Sequence, residues 1–465
     1  MRARLAIAVR FAGSVAVLAI AWALGGPATA ASGAEWPMYQ HDLARTGFQP
    51  SDPLIDASSA SSLSPNWTVM ANDKISSQAI AANRLIYWGS WDGFEHATDP
   101  LTGIDRWQTY IGDETNPHCF GHLGVASTAT VAPMEINGLQ TMVLFVGGGA
   151  GSYYALDANT GQIIWETFFG SPQKGYFMWS SPALYNGSVY VGISSIDDCP
   201  LIPGELAKLN AVTGTVEAVF HTTPEGCVGG SIWSSPTVDE ATGIVYATTG
   251  NGSCHRGIEP YAPAILQLTS DLSLIAAWRP PTIKLGNSDF GATPTLFSAT
   301  IAGVSRELVG AANKNGKYYA LDRTNFANGP VWQSKNIAKP SPNADVIASS
   351  AWDGSRLYVA GYLATISKQS CESTIRAIDP STGRFVWSDC LSGGKALGAV
   401  TAAPGVVFEG LGSILYGVSS GTGEVLFRFE EPGQSKFYSP AMVSDGALYI
   451  GNSDGHFYRF TPAVP

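Results

Sequence analysis

The chain has 465 residues, with 26 basic against 37 acidic side chains and a formal net charge of −11. An acidic, charge-poor surface excludes a nucleic-acid partner, which needs a basic stripe, and an aromatic content of 11% excludes a disordered chain. Glycine and proline together make about 17% of the residues, against roughly 12% in ordinary soluble proteins, so many short strands joined by turns are expected rather than a helical bundle or a coiled coil.

Residues 1–30 have the order of a secretory signal peptide: Arg2, Arg4 and Arg10, an apolar run from Phe11 to Gly25, then the small-residue site Ala28-Thr29-Ala30. The run is short of the ~20 residues of a spanning helix, so cleavage and a secreted or periplasmic location are expected, with an uncleaved anchor as the alternative. No later apolar run is long enough to span a bilayer. Six cysteines follow, Cys119, Cys199, Cys227, Cys254, Cys371 and Cys390, an even count that favours disulfides in an exported chain. Cys227 with Cys254 and Cys371 with Cys390 each flank a strand pair and are the preferred bridges. None forms CxxC or CxxCH, so neither a zinc knuckle nor covalently attached haem is expected. His118 and His122 flank Cys119 and leave two readings there, a Cys/His metal site or a disulfide cysteine in a histidine-bearing loop.

From residue 64 onward one plan recurs. Leu85–Trp107 has a β-run ending in Gly, a polar turn, a second run, an Asp-x-x-Thr-Gly turn and a strand closing on Trp. Met142–Trp165, Leu308–Trp332 and Leu357–Trp387 repeat it, Val406–Phe427 and Leu448–Phe460 do so more loosely, and Val189–Phe220 and Ile244–Trp278 carry long inserts. Each copy is preceded by a short strand of small residues, such as Ser180–Ala183, Ser234–Thr237 or Ala292–Thr295, which fits where strands converge on an axis. Four strands per unit and eight units predict an all-β fold, an eight-bladed β-propeller of four-stranded antiparallel blades forming a single domain over residues 31–465. The eighth unit lacks an outer strand, and Ser64–Met70 (SPNWTVM) is predicted to fill that place and close the ring. Trp107, Trp165, Trp332 and Trp387 are expected to dock between blades, and Asp99, Asp157, Asp322 and Asp379 to hold tight turns.

Four segments carry candidate chemistry. Val191–Asp198 (VGISSIDD) ends in two carboxylates, Asp197 and Asp198, readable as surface-loop residues or as a metal ligand. Gly229–Asn251 (GGSIWSSPTVDEATGIVYATTGN) joins Gly229, Gly230 and Trp233 to Asn251, whose Asn-Gly pair also suits a hairpin turn. Asn287–Pro294 (NSDFGATP) places Asp289 before an aromatic residue, and Asn313–Arg323 (NKNGKYYALDR) places Lys314 before Asn-Gly.

With these motifs in chain order, the repeat resembles the pyrroloquinoline-quinone (PQQ) repeat family over essentially the whole mature chain. The opening Glu35-Trp36-Pro37-Met38-Tyr39-Gln40-His41-Asp42, with Thr46-Gly47 after it, is similar to polyvinyl-alcohol-dehydrogenase-like quinoproteins. The resemblance implies PQQ and Ca²⁺ as cofactors, an alcohol substrate and an external electron acceptor. It implies Asp197, Asn251 and Asp289 as metal ligands, Asp289 also as general base, Lys314 as donor to the quinone oxygens, and Gly229, Gly230 and Trp233 as cofactor neighbours. Two features of the alcohol dehydrogenases are absent: Cys119 is followed by Phe120 rather than by a second cysteine, and Cys227 stands where a stacking Trp is expected. A propeller scaffold for protein partners, as in outer-membrane assembly factors, and a different secreted enzyme therefore stay open. Carboxylates Asp197 and Asp289 converging on one end of the channel would distinguish the first reading.

Overall fold

The structure is a computed structural model that describes residues 34–116, 121–254, 259–280, 289–339 and 346–463. The proposed signal segment, His118 and Cys119 lie outside the described residues. Within them, helix is limited to three single 3₁₀ turns, and eight antiparallel sheets form the blades of a propeller, each of four strands, with Tyr176–Phe177 added as a fifth in blade 3. Blade 1 comprises strands Ile80–Ala82, Leu85–Gly89, Phe94–Thr98 and Asp105–Tyr110, and blade 5 comprises Thr295–Ile301, Val304–Asn313, Lys317–Asp322 and Pro330–Gln333. In blade 8, Leu63–Met70 is the outer strand beside His456–Pro462, with Trp67 opposite Arg459. The ring is therefore closed by the segment expected to close it.

Each closing Trp reaches into the next blade. Trp107 Nε1 donates to Ala158 O (3.0 Å), Trp165 to Ala211 O (3.0 Å), Trp332 to Pro380 O (2.8 Å) and Trp387 to Ser420 O (2.9 Å). Trp67 does the same from blade 8 to blade 1, donating to Pro100 O at 3.0 Å. Trp165 and Trp332 are buried, while Trp107 and Trp387 stay half-exposed at the rim. The acceptors belong to the tight turns. There Asp99, Asp157 and Asp379 accept backbone N–H groups two or three residues on, the local bonding that favours Asp in turns. Disulfides Cys227–Cys254 and Cys371–Cys390 are both present, and Cys199 is also disulfide-bonded.

The innermost ladders begin later than predicted, at Ala183–Tyr185 and Thr237–Asp239 rather than at Ser180 and Ser234. Pro182 and Pro236 lack the N–H a ladder needs, and the lead-in residues bond sideways instead. Gln78 N donates to Thr128 Oγ1 (2.8 Å), Thr128 N to Ser181 Oγ (3.0 Å), Ser181 N to Ser235 Oγ (3.0 Å), Ser235 N to Thr293 Oγ1 (2.9 Å) and Thr293 N to Ser349 Oγ (2.9 Å). The small residues thus form a hydroxyl belt that ties blades 1 to 6 around the axis.

One end of the channel is plugged by the segment Trp36–Gln49. It pairs with Ala81 through Trp36, accepts from Val131 at Pro37, from Val238 at Leu43, from Leu296 at Ala44 and from Trp352 at Thr46, and exchanges bonds with Ala402 through Gly47 and Gln49. Gln49 Nε2 donates to Val443 O (3.2 Å). Fully buried Arg45 donates to Pro236 O (2.9 Å), Pro182 O (3.1 Å) and Tyr39 O (2.7 Å). Every blade is touched. Burial draws the Arg45 guanidinium down to about 10, yet three carbonyl dipoles still solvate it.

Candidate active site

Along each inner strand the belt residue lies between the plug contact and the strand's upstream lead-in. In blade 4 the order is Gly229, Gly230, Trp233, belt residue Ser235, then plug contact Val238. The upstream lead-ins, and the turns that follow the second strands, therefore meet at the mouth opposite the plug. The described candidate residues Asp197, Asp198, Gly229, Gly230, Trp233, Asn251, Asp289 and Lys314 belong to these lead-ins and turns.

Asp289 is fixed from both sides. Phe290, wholly buried, anchors it from below, and Phe290 N donates to Thr249 O (3.2 Å). The turn at the end of strand Val304–Asn313 clasps its backbone: Lys314 N and Asn313 Nδ2 each donate to Asp289 O at 3.1 Å. The Lys314 ammonium lies 2.9 Å from Asp289 Oδ1 and 5.0 Å from the Trp233 ring centroid. Both partners are buried, with side chains 14% and 9% exposed. Oδ1 nevertheless has no aligned hydrogen bond. Lys314, expected to face a quinone, thus also neutralises the expected base.

The indole of Trp233 is seated by two glycines. A Cβ on Gly291 would come within 2.3 Å of its ring, and one on Gly250 would lie 3.4 Å from Trp233 Nε1 and 3.6 Å from Asp289 Oδ2. Gly250 is next to Asn251, so the Thr-Gly-Asn turn of blade 4 and Asp289 share one floor. Asn251 O accepts from Gly230 N (2.7 Å). Gly229, at φ +85°, runs so close that a Cβ would meet Asn251 O at 2.4 Å. The two-residue ribbon Val228–Gly229/Gly252–Ser253 holds this crossing, and the Cys227–Cys254 bridge lies beside it.

Asp197 and Asp198 are exposed in the turn after strand Ser188–Ser195. Partial loss of water, then the charges of Asp289 and Asp197, raises the Asp198 carboxyl above its ordinary range, and Lys314 opposes the rise. Asp198 is therefore a loop carboxylate that feels the charge of Asp289. The three carboxylates face one mouth but are not gathered within 4.8 Å of one another; among the described residues the cluster that is so gathered is Glu431, Asp454 and His456 in blade 8. That cluster is internally satisfied, with Tyr458 and Ser435 donating to Glu431 and His456 paired to Asp454. His122, which flanks Cys119 in sequence, pairs with Asp73 (2.7 Å) and Asp113 (2.5 Å).

An aromatic wall that the sequence reading did not single out adjoins the acidic turn. Trp179 Nε1 donates to Ile196 O (3.2 Å), and its ring lies 4.6 Å from Phe177 and 6.1 Å from Trp91. Three Trp and Phe residues scattered over 89 positions gave no local pattern to find it by.

A family model described as glucose/ethanol/alcohol dehydrogenase, beta-propeller domain, matches residues 36–348, and one described as outer membrane protein assembly factor BamB matches residues 314–463. A polyvinylalcohol dehydrogenase of Pseudomonas sp is 25% identical over 90% of this chain and 71% of its own length. A second, from Sphingopyxis sp., is 24% identical over 89% of this chain but 63% of its own length. Quinohemoprotein alcohol dehydrogenase ADH IIB of Pseudomonas putida is 27% identical over 64% of this chain and 47% of its own. Among solved structures, quinohemoprotein alcohol dehydrogenase from Comamonas testosteroni superposes with a TM-score of 0.75 at 19% identity, covering 94% of this chain and 82% of that one. The BamB structure from Moraxella catarrhalis gives 0.56 at 15% identity over 86% and 97%. With about two thirds of its length matched by the dehydrogenase model, the chain belongs to the PQQ β-propeller family of glucose, ethanol and alcohol dehydrogenases.

Proposed function

We propose that this is an exported quinoprotein dehydrogenase that oxidises an alcohol with PQQ and Ca²⁺ and passes the electrons to an external acceptor. The observation that carries the reading is the buried Asp289–Lys314 pair at the open mouth, beside Trp233 and the Gly250-Asn251 turn. A pure scaffold has no use for an ion pair sunk into its channel wall.

The residues present fit the cofactors. Asp289 Oδ1 is a buried carboxylate oxygen without a hydrogen bond, and Asp289, Asn251 and the Asp197-Asp198 turn offer the mix of carboxylate and amide oxygens that Ca²⁺ takes. Three carboxylates against one lysine leave a surplus of negative charge for a cation to neutralise. Gly250 and Gly291 keep open the space around Trp233 that side chains would fill. When bound, PQQ supplies the two-electron acceptor and Ca²⁺ the Lewis acid.

The chain's own part follows from the geometry. Lys314 holds Asp289 Oδ1, leaving Oδ2, the oxygen toward Gly250 and Trp233, to take the proton of the alcohol hydroxyl. Its charge also stabilises negative charge developing nearby. Trp179, half-buried and backed by the buried Trp91 and Phe177, gives an apolar face for the carbon skeleton, and an open mouth suits a polymeric alcohol. The sequence holds no haem-attachment motif, and an external acceptor for the electrons is part of the proposal. The disulfides fit an oxidising compartment, and among the described residues no helix is long and apolar enough to cross a membrane.

The test is reconstitution with PQQ and Ca²⁺, followed by absorbance, with alcohol-dependent dye reduction measured alongside. Saturable quinone uptake that requires Ca²⁺, together with dye reduction by alcohols, supports the reading. Neither occurring would leave the scaffold alternative, which draws on the assembly-factor match over residues 314–463.

A further inference from the structure

Arg376 lies in strand Gln369–Ile378 of blade 6 and is 3% exposed. Its guanidinium stacks on the Phe385 ring at 4.5 Å, and its Nε has one long contact, to Thr374 Oγ1 at 3.4 Å. Its Nη2 is buried and has no hydrogen-bond partner. Among the described residues no carboxylate pairs with it. Asp389, nearby on the neighbouring strand Phe385–Leu391, is not among the charges that act on it. A lone buried cation is among the most costly features a fold can keep. Arg45 is buried to the same degree and has all its neighbours supplied by carbonyls; Arg376 does not.

The surroundings deepen the imbalance. Arg376 lines a groove of about 820 Å³ between blades 5 and 6, together with Lys317, Lys335 and Lys339 and with no Asp or Glu in its lining. None of the three lysines has an ion-pair partner among the described residues. Four cations without an acid stand out in a chain whose formal charge is −11. Ser388, opposite Arg376 in the ladder, adds a hydroxyl donor, and Phe385 supplies an apolar face. The volume falls in the range of small-molecule sites. None of the candidate active-site residues lines it.

We propose that this groove is a binding site for a small oxyanion, a carboxylate or phosphate group on a compact molecule, with Arg376 at its floor and Lys317, Lys335 and Lys339 around its rim. A planar guanidinium suits two-oxygen recognition of either group. The proposal does not depend on quinone chemistry.

The test is calorimetry and thermal unfolding of the full chain in buffer free of oxyanions. Sodium phosphate and sodium citrate would be compared with sodium chloride at matched ionic strength, since surface screening alone responds to salt in general. Saturable binding of phosphate or citrate, with an unfolding temperature that climbs with its concentration, is expected for the wild type. The tighter of the two identifies the head group. Arg376→Met should unfold at a higher temperature than wild type in chloride and lose the oxyanion response. Lys335→Ala with Lys339→Ala, both exposed, should keep the wild-type unfolding temperature in chloride and weaken binding by about ten- to a hundredfold. Absence of saturable binding to either ion up to about 10 mM, a range that covers weak small-ligand sites, overturns the proposal, as does an Arg376→Met protein that binds like wild type. Should Arg376→Met fail to fold, unchanged affinity in the lysine pair is sufficient to reject it.

Discussion

Two buried arginines in one molecule make opposite demands. Arg45 donates to three main-chain carbonyls from three separate places, so Arg45→Met would orphan Pro236 O and Tyr39 O, while Pro182 O keeps its bond from the Thr130 hydroxyl. A loss of about 2–4 kcal/mol is expected, since a buried acceptor left without its partner costs ~1–3 kcal/mol and two are left so; urea denaturation with an unchanged slope would measure it. At the mouth, Asp289→Asn keeps shape and removes the base. Turnover of reconstituted protein should fall by roughly 10²–10⁴ while quinone uptake is retained. Lys314→Met removes a positive charge and should cost about 10²–10³, read in the same dye assay. Inactivity of both variants through loss of quinone uptake would reassign them to cofactor binding. Asp289 and Lys314 were legible because each sits in a motif of a few consecutive residues. Their mutual pairing was not, since it arises between the lead-in of one strand and a turn 25 residues later, set by blade geometry alone.

At the scale of elements, the loop that includes Asp73 is joined to Asp113 and the ribbon Glu114–Asn116/Gly121–Leu123 by His122, which pairs with both carboxylates. The hydrogen bond to Asp113, followed by that to Asp73, holds the imidazolium above its ordinary range; the carboxyls are lowered, Asp73 by the Lys74 N–H and then His122, Asp113 by the Tyr110 hydroxyl and then His122. The histidine contribution is full below the unfolded value near 6.5 and is lost as pH rises through the raised one. The carboxylate contribution runs the other way, vanishing as pH falls through the lowered values. His122→Gln should therefore lower the melting temperature at about pH 5–6 and converge on wild type in alkaline buffer; a constant offset at every pH would mean that the charge is not the link. The repeats themselves were legible because blades 1, 2, 5 and 6 each restate their strands, an Asp turn and a closing Trp within about 30 residues, and the other blades follow the same plan more loosely. The plug was not: its contacts are main-chain bonds to strands spread over the whole ring, and nothing in Trp36–Gln49 has strand periodicity. Only the likeness of its residues to a known opening marked it.

For the whole molecule, closure depends on pairing between distant parts of the chain. Leu63–Met70 completes blade 8, and Trp67 then locks blade 8 to blade 1 through Pro100. Deleting residues 34–70 removes the plug and the closing strand together and leaves an unpaired edge on a broken ring. The expected result is loss of the cooperative unfolding transition; a truncated protein that stayed monomeric and melted cooperatively would show that the remaining blades close by themselves. Replacing Trp67 by Phe is the milder form, keeping the strand and losing the bond to Pro100.

The plug has a consequence for how the chain is made. Residues 36–49 leave the ribosome first among the folded part, yet they need inner strands from every blade through Val443, and Leu63–Met70 needs His456–Pro462. The earliest segment is the last to find its partners, and its contacts reach as far as 394 residues along the chain. Such long-range pairing is slow to form. Until blade 8 has emerged, no ring exists for the plug to enter, so the nascent chain carries its start unsatisfied for nearly the length of its synthesis. Under the proposed export this delay would be an asset, because a chain that cannot finish folding before its final strand remains threadable until it is complete.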